Sequence, residues 1–178
     1  MIIDGSVEAL EYLLSRDSTA RVVTCSALLD VLTTTELRAI CGAVIENEVP
    51  VLFSLTVTGM LSITPPDSHD QLLLTAFNDH QRRAARAGPD APLLAIDMLI
   101  AGGLMIRTQE TPWQLTAVSP QAFVEQVLQE RLDAAVEHNP SLATIAADWL
   151  ELRRAQLARG VLQIDLGHRD ILALPGRL

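Results

Sequence analysis

The small share of aromatic residues constrains the fold of this chain more than any other feature. Of its 178 residues, 49% are hydrophobic but only 3% are aromatic. The interior must therefore consist mainly of leucine, alanine, valine and isoleucine side chains, which suit closely packed helices. A chain of this length can bury a sizeable core without disulfides or metal ions. We expect one domain, or two small modules that share a core.

The first part of the chain alternates helical and extended patterns. Helices are expected over about 6–16 and 34–47, and strands over 21–25 and 51–58. Thr33 and Glu36 form a capping-box pattern that fixes the start of the second helix. Residues 1–60 are therefore predicted to form an α/β portion, and the proline-containing segment 61–70 a linker or turn.

The second expected portion covers residues 66–178. Its predicted elements are helices over 71–86 and 90–101, strands over 104–109 and 113–118, and two amphipathic helices that start near Pro120 and Pro140. Residues 161–174 are expected to form a hairpin that turns at Gly167–His168. The predicted fold class is α+β.

The centre of this portion, residues 71–118, resembles a winged helix-turn-helix domain. Its third helix begins at Pro92, and a turn at Thr111–Pro112 would join the two strands of the wing. In that family the third helix commonly ends in a leucine, a glycine and a leucine, and the second wing strand carries an aromatic-x-Leu-Thr pattern. The matching residues are Leu99, Gly103, Leu104, Trp113, Leu115 and Thr116. The resemblance implies a winged-helix-like centre.

The third helix of this segment lacks the side chains that read DNA. Its charged residues are Asp90 and Asp97, and carboxylates repel phosphate. The net charge of −9 also disfavours non-specific binding of nucleic acid or of an anionic membrane. An apolar helix suits contact with protein, as the resemblance to winged helices that serve as assembly modules implies. The competing interpretation is a buried core helix.

The chain contains no lysine, and all 13 of its basic residues are arginine. This absence excludes Schiff-base chemistry through lysine and the lysine of a P-loop. Codon usage in a GC-rich genome would produce it, and selection against lysine modification would produce it as well.

Any contact with an anion must therefore use arginine. Arg82, Arg83 and Arg86 form a cluster in which Arg82 and Arg86 would share a helix face, and Arg107 lies in the expected wing. These four arginines are the candidate anion or partner contacts. The competing interpretation is a solvated face, with Arg83 paired to Asp79.

A further arginine cluster lies near the end of the last expected helix. Arg153, Arg154 and Arg159 are predicted to compensate the helix dipole there and to pair with Glu151.

We identify no catalytic motif, cofactor site or metal site in the sequence. His69 and His80 would lie about 16 Å apart on one helix, which is too far for one metal ion. His168 is expected in a solvated turn. A small enzyme whose site gathers distant residues, such as Asp97 with histidines, remains an alternative.

The N-terminal sequence and the two cysteines predict the cellular compartment of the protein. No signal peptide or membrane span is visible, and Cys25 and Cys41 have no metal-like spacing. We expect buried thiols and a bacterial cytoplasmic protein.

These features together favour a non-catalytic adaptor or assembly protein that binds another protein or itself as a homodimer. No cofactor is expected. A winged-helix transcriptional regulator is the second hypothesis, and the small enzyme is the third.

Overall fold

The computed structural model describes residues 7, 9–16 and 22–176, which form six α-helices and five β-strands. The helices are α1 (Ala9–Arg16), α2 (Thr34–Glu46), α3 (Asp70–Gln81), α4 (Ala91–Ala101), α5 (Gln121–His138) and α6 (Ala143–Ala158). The strands are β1 (Val23–Ser26), β2 (Val51–Thr64), β3 (Met105–Glu110), β4 (Trp113–Leu115) and β5 (Gln163–Leu174). The predicted α+β class is confirmed. Residues 6 and 8 of the helix expected over 6–16 lie outside the described residues. Arg21, the first residue of the strand expected over 21–25, lies outside them as well.

The first strands form the expected α/β arrangement. β1 and β2 are parallel, with Val23 opposite Val51, and α2 connects them. The predicted capping box is present, because the Thr33 hydroxyl accepts a hydrogen bond from the Glu36 N–H at 3.2 Å and the Glu36 carboxylate accepts from the Thr33 N–H at 2.8 Å. This reciprocal pair satisfies N–H groups that the helix itself leaves unbonded.

The expected wing does not form. The sheet order is β1-β2-β5-β3, and β4 also pairs with β5. β3 is antiparallel to residues 169–174 of β5, and β4 is antiparallel to residues 164–166. The two strands therefore pair with β5 rather than with each other, and the segment 71–118 lacks the hairpin that defines a winged helix.

The prediction of a terminal hairpin over 161–174 is also wrong. Residues 163–174 form one continuous strand, β5, and Gly167 and His168 lie within it. His168 is buried, with 7% of its surface exposed, and not in a solvated turn. The alternating apolar residues before Gly167 and after His168, which were expected in two strands of a hairpin, all belong to β5.

Two connections differ from the sequence prediction. β2 continues to Thr64, so the expected linker over 61–70 begins as strand. Helix α3 ends at Gln81 instead of reaching residue 86, since Ala84 and Ala85 have positive φ angles of 56° and 61°. An α-helix cannot continue through that backbone conformation.

The chain divides into two compact units that are discontinuous in sequence. Unit 1 comprises residues 1–58, 84–111 and 168–178, and unit 2 comprises residues 59–83 and 112–167. The segment expected to separate two sequence portions, 61–70, lies within unit 2.

Each unit has its own aliphatic core. The unit 1 core contains Leu37, Val44, Val51, Phe53, Leu99 and Ile171 among its most buried residues. The unit 2 core contains Val124, Leu128, Trp149, Leu162 and Ile164. Full burial of one such side chain stabilises the fold by about 1.5–3 kcal/mol.

Unit 2 also encloses an ion pair. Arg153 is fully buried and hydrogen-bonds to the Asp70 carboxylate. The same carboxylate accepts from the Trp149 indole N–H at 2.7 Å, and the Arg153 guanidinium donates to the Pro65 carbonyl at 2.6 Å and to the Gln156 side chain at 2.8 Å. The expected surface role of Arg153 beside Glu151 is therefore wrong.

Candidate functional site

Helix α4 buries Ala91, Ala95 and Leu99 on one face and exposes two large aliphatic residues on another. Ala91 and Ala95 are fully buried in the unit 1 core, whereas Leu93 and Ile100 are 58% and 55% exposed. Leu93 and Ile100 are seven residues apart, close to two helical turns, so they lie on one face of the helix. Asp97 is exposed between them. The helix contacts both α2 and β3, and Leu93 and Ile100 nevertheless stay exposed.

Strand β3 has an outer edge that no other described strand pairs with, since it stands last in the sheet order. The Thr111 N–H donates to the His168 carbonyl at 2.9 Å, which continues the register of β3 and β5 by one residue. Backbone groups of an antiparallel strand point alternately to its two sides. The N–H and C=O groups of Ile106, Thr108 and Glu110 therefore point away from β5.

The side chains of β3 are exposed along most of the strand. Ile106 is half-buried, and Met105 is 52% exposed. Arg107 and Glu110 carry opposite charges, and Glu110 accepts a hydrogen bond from Arg169 Nε at 2.5 Å. We call the exposed stripe of α4 together with the outer edge of β3 the α4–β3 surface. It belongs entirely to unit 1.

Arg82 and Arg83, two of the predicted contact residues, each pair with a carboxylate in unit 2. Arg82 contacts Asp79 at 3.0 Å, and Arg83 contacts Glu137 at 2.6 Å. The predicted Asp79–Arg83 pair is therefore wrong by one residue. Both guanidinium groups are exposed, so an additional anion would have to compete with these carboxylates.

Arg86 and Arg107, the other two predicted contacts, belong to unit 1. Arg86 does not share a helix face with Arg82, because α3 ends before both residues. Arg86 forms an isolated backbone bridge with Thr33, and its side chain is exposed. Arg107 lies on the α4–β3 surface. The structure thus brings one of the four predicted arginines to this surface.

Three cavities lined by described residues bear on the enzyme hypothesis. Their volumes are about 20, 490 and 450 Å³, and none of these three is lined by Asp97 or by a histidine. In the smallest, the Arg131 guanidinium lies 4.4 Å from the Phe77 ring centroid, and burial lowers the pKa of Arg131 to about 10.

Cys41 is buried as expected, whereas Cys25 is half-buried. Burial raises the pKa of Cys41 to about 12 and also raises the pKa of Cys25. Both thiols therefore stay protonated near neutral pH, and a protonated thiol is a poor nucleophile.

The described residues hold neither a metal cluster nor a membrane-spanning helix. They contain no group of three or more histidine, cysteine, aspartate or glutamate residues placed to hold a metal ion. None of their helices combines the length and apolarity needed to cross a membrane.

No protein-family model matches the chain, and no curated protein matches it in sequence.

The sequence indicated the apolar helix over 90–101 as suited to contact with protein, but apart from Arg107 and Asp97 it did not single out the residues of the α4–β3 surface. The α4 segment is apolar on all sides, so periodicity could not tell which side faces the core. The edge position of β3 follows from its pairing with β5, sixty residues further along the chain. The one available signal was that α4 carries alanines at two positions a turn apart, which favour close packing on that side.

Proposed function

We propose that this protein is a non-catalytic interaction or assembly protein that binds a protein partner through the α4–β3 surface. The observation that carries the proposal is the orientation of α4. The helix buries Ala91, Ala95 and Leu99 in the core but leaves Leu93 and Ile100 more than half exposed to water. Covering these two half-exposed side chains would remove further apolar area from water, which is the main favourable term in most protein association.

The charges on the surface favour protein over nucleic acid as the partner. Asp90 and Asp97 are the charged residues of the α4 segment, and both are exposed. Arg107 alone adds a positive charge on β3. Binding to a phosphate backbone depends on several cationic contacts, and this surface does not provide them.

The proposal does not depend on a winged-helix module. Its physical basis is an apolar helix beside an open strand edge, and both features occur on many folds.

The test is the double variant Leu93→Glu/Ile100→Glu, compared with the wild-type chain by native mass spectrometry of extracts in which each is expressed. We expect the wild type to be isolated in a stoichiometric complex, with itself or with another protein, and the double variant to be monomeric. Because both positions are exposed, the substitutions should leave the fold intact, which circular dichroism checks.

The matched control is Met60→Glu, which places the same charge at a side chain that is 68% exposed in unit 2. This variant should retain the complex. A wild-type chain that stays monomeric without a partner, or a complex that the double variant retains, would contradict the proposed function.

A further inference from the structure

We propose that the partner at the α4–β3 surface is a second copy of this chain, joined through antiparallel pairing of the two β3 edges with Thr108 on the two-fold axis. This inference rests on the proposed function and names the occupant of the same surface. The pairing would join the unit 1 strands of two copies into one continuous sheet.

The backbone of β3 determines which residues can pair. Only Ile106, Thr108 and Glu110 present N–H and C=O groups on the outer edge, as the Thr111–His168 hydrogen bond establishes. In a two-fold antiparallel pair, these residues must therefore face outward-pointing residues of the second copy. Every register with a residue on the axis meets this condition, but only with Thr108 on the axis do Ile106, Thr108 and Glu110 all face one another.

Charge and hydrogen bonding also disfavour the two neighbouring registers. With Arg107 on the axis, two guanidinium groups would lie directly opposite each other, which is unfavourable. With Gln109 on the axis, Ile106 would face Pro112, which has no N–H to donate. With Thr108 on the axis, Ile106 faces Glu110 and Arg107 faces Gln109, so no like charges oppose. All three outward-pointing residues then form hydrogen bonds.

The helix beside the strand favours a second copy over a single peptide strand. A peptide added to the β3 edge would satisfy its backbone groups but leave Leu93 and Ile100 in water. A second copy supplies another α4 as well as another β3. Since the two-fold axis is perpendicular to the sheet, the two α4 helices lie on the same sheet face.

The net charge gives this dimer a characteristic salt response. Each chain carries a net charge of −9, so two copies repel each other at long range. The contact strand itself carries one positive and one negative side chain, Arg107 and Glu110, and adds no repulsion. Salt screens the long-range term. We therefore expect the dimer to become tighter as salt is added.

The first test is the variant Thr108→Pro, examined by sedimentation equilibrium of the purified chain. Proline removes an N–H that points away from β5, so the pairing of β3 within the fold is retained. We expect the wild type to be dimeric and Thr108→Pro to be monomeric, with unchanged circular dichroism. The matched control is Thr108→Val, which keeps the N–H and a β-branched side chain and should remain dimeric.

The second test does not depend on the proline variant folding. In a Cys25→Ser/Cys41→Ser background, Thr108→Cys places two thiols across the axis, with Cα atoms about 5.5 Å apart. That separation suits a disulfide. We expect oxidation to give a covalent dimer, whereas Thr24→Cys on β1, at the other end of the sheet order, should give none.

The outcomes separate the two proposals. A purified chain that is monomeric but captures a different protein through Leu93 and Ile100 would overturn the homodimer and leave the proposed function standing. A dimer that Thr108→Pro retains, or a Thr108→Cys chain that cross-links no faster than Thr24→Cys, would also overturn it. A monomer that captures nothing would overturn both.

Discussion

The side chain of Arg153 is the clearest example of a residue whose role depends on its partners. It is fully buried, it contacts Asp70, and its guanidinium lies 5.0 Å from the Trp149 ring centroid. Asp70 additionally accepts a hydrogen bond from the Asp67 N–H at 2.9 Å. Taking charges out of water is costly, so such a pair is maintained only while every partner is present.

Removal of one member of this pair should be strongly destabilising. We expect Asp70→Ala to lower the free energy of unfolding by about 3 kcal/mol, because Arg153 would keep its charge in the core without a carboxylate. The double variant Asp70→Leu/Arg153→Leu should be more stable than Asp70→Ala. Urea denaturation measures both, and a double variant less stable than Asp70→Ala would contradict this account.

A second prediction at this scale concerns Glu137 and acid. Hydrogen bonds from Arg83 and His80 lower the pKa of Glu137 below its ordinary value of 4.5. A carboxyl group with a depressed pKa in the folded state stabilises the fold above its unfolded pKa, and the contribution disappears as the pH falls through the folded value. The stability of the wild type should therefore fall more steeply below pH 4.5 than that of Glu137→Gln.

The control for this prediction is Glu130→Gln, on the same helix. Glu130 accepts a hydrogen bond from Gln126 at 2.7 Å and makes no ion pair with a described residue. Its removal should leave the acid limb of the stability curve close to that of the wild type. Parallel curves for wild type and Glu137→Gln would refute the assignment.

At the scale of elements, the packing of α2 against the end of α4 depends on a glycine. A Cβ atom added at Gly102 would lie 2.4 Å from Ile45 Cδ1 and 2.6 Å from Ile45 Cγ1. Both distances are far below van der Waals contact, so the whole Ile45 side chain would have to move.

Two glycine-to-alanine variants test this packing with opposite expected signs. Gly102→Ala should lower the free energy of unfolding by about 1–3 kcal/mol through overpacking, and Ile45→Ala in the same chain should recover part of the loss. Gly42→Ala, inside α2 with no atom within 4 Å of the added Cβ, should instead stabilise by about 1 kcal/mol, because alanine is the better helix former. Thermal denaturation distinguishes the two, and equal effects would contradict the steric explanation.

The element scale also explains why the winged-helix resemblance misled. Its residue pattern records a helix, a stop and two extended runs, and the structure contains all four. The pattern says nothing about which strand each run pairs with. Both runs pair with β5, because this strand is long enough to pair with β3 and β4 at successive positions.

For the whole molecule, the proposed dimer predicts a thermal midpoint that depends on protein concentration. Association with a second copy stabilises the folded state in proportion to the logarithm of concentration, whereas a monomer unfolds independently of it. The wild-type midpoint should rise with concentration, and the midpoint of Thr108→Pro should not. A concentration-independent wild-type midpoint would count against the dimer.

Sequence by itself determined the local features of this protein. The α+β class, the capping box at Thr33, the limits of α2 and the helices that follow Pro120 and Pro140 depend on residues only a few positions apart. The apolar character of α4 and the scarcity of positive charge near it could also be predicted from the sequence. Interactions of this range are encoded in spacing and residue type, so they can be read directly.

Only the tertiary structure decided the rest. Strand partners, the burial of Arg153 against a residue 83 positions away, and the outward face of α4 depend on which distant segments meet. A periodic pattern of hydrophobic residues predicts that one face of a helix or strand is buried, but it does not identify the segment that packs against that face. The α4–β3 surface exists because β5 pairs with one edge of β3 and because the face of α4 that carries Ala91 and Ala95 packs into the unit 1 core. Neither arrangement can be predicted from the residues of the surface alone.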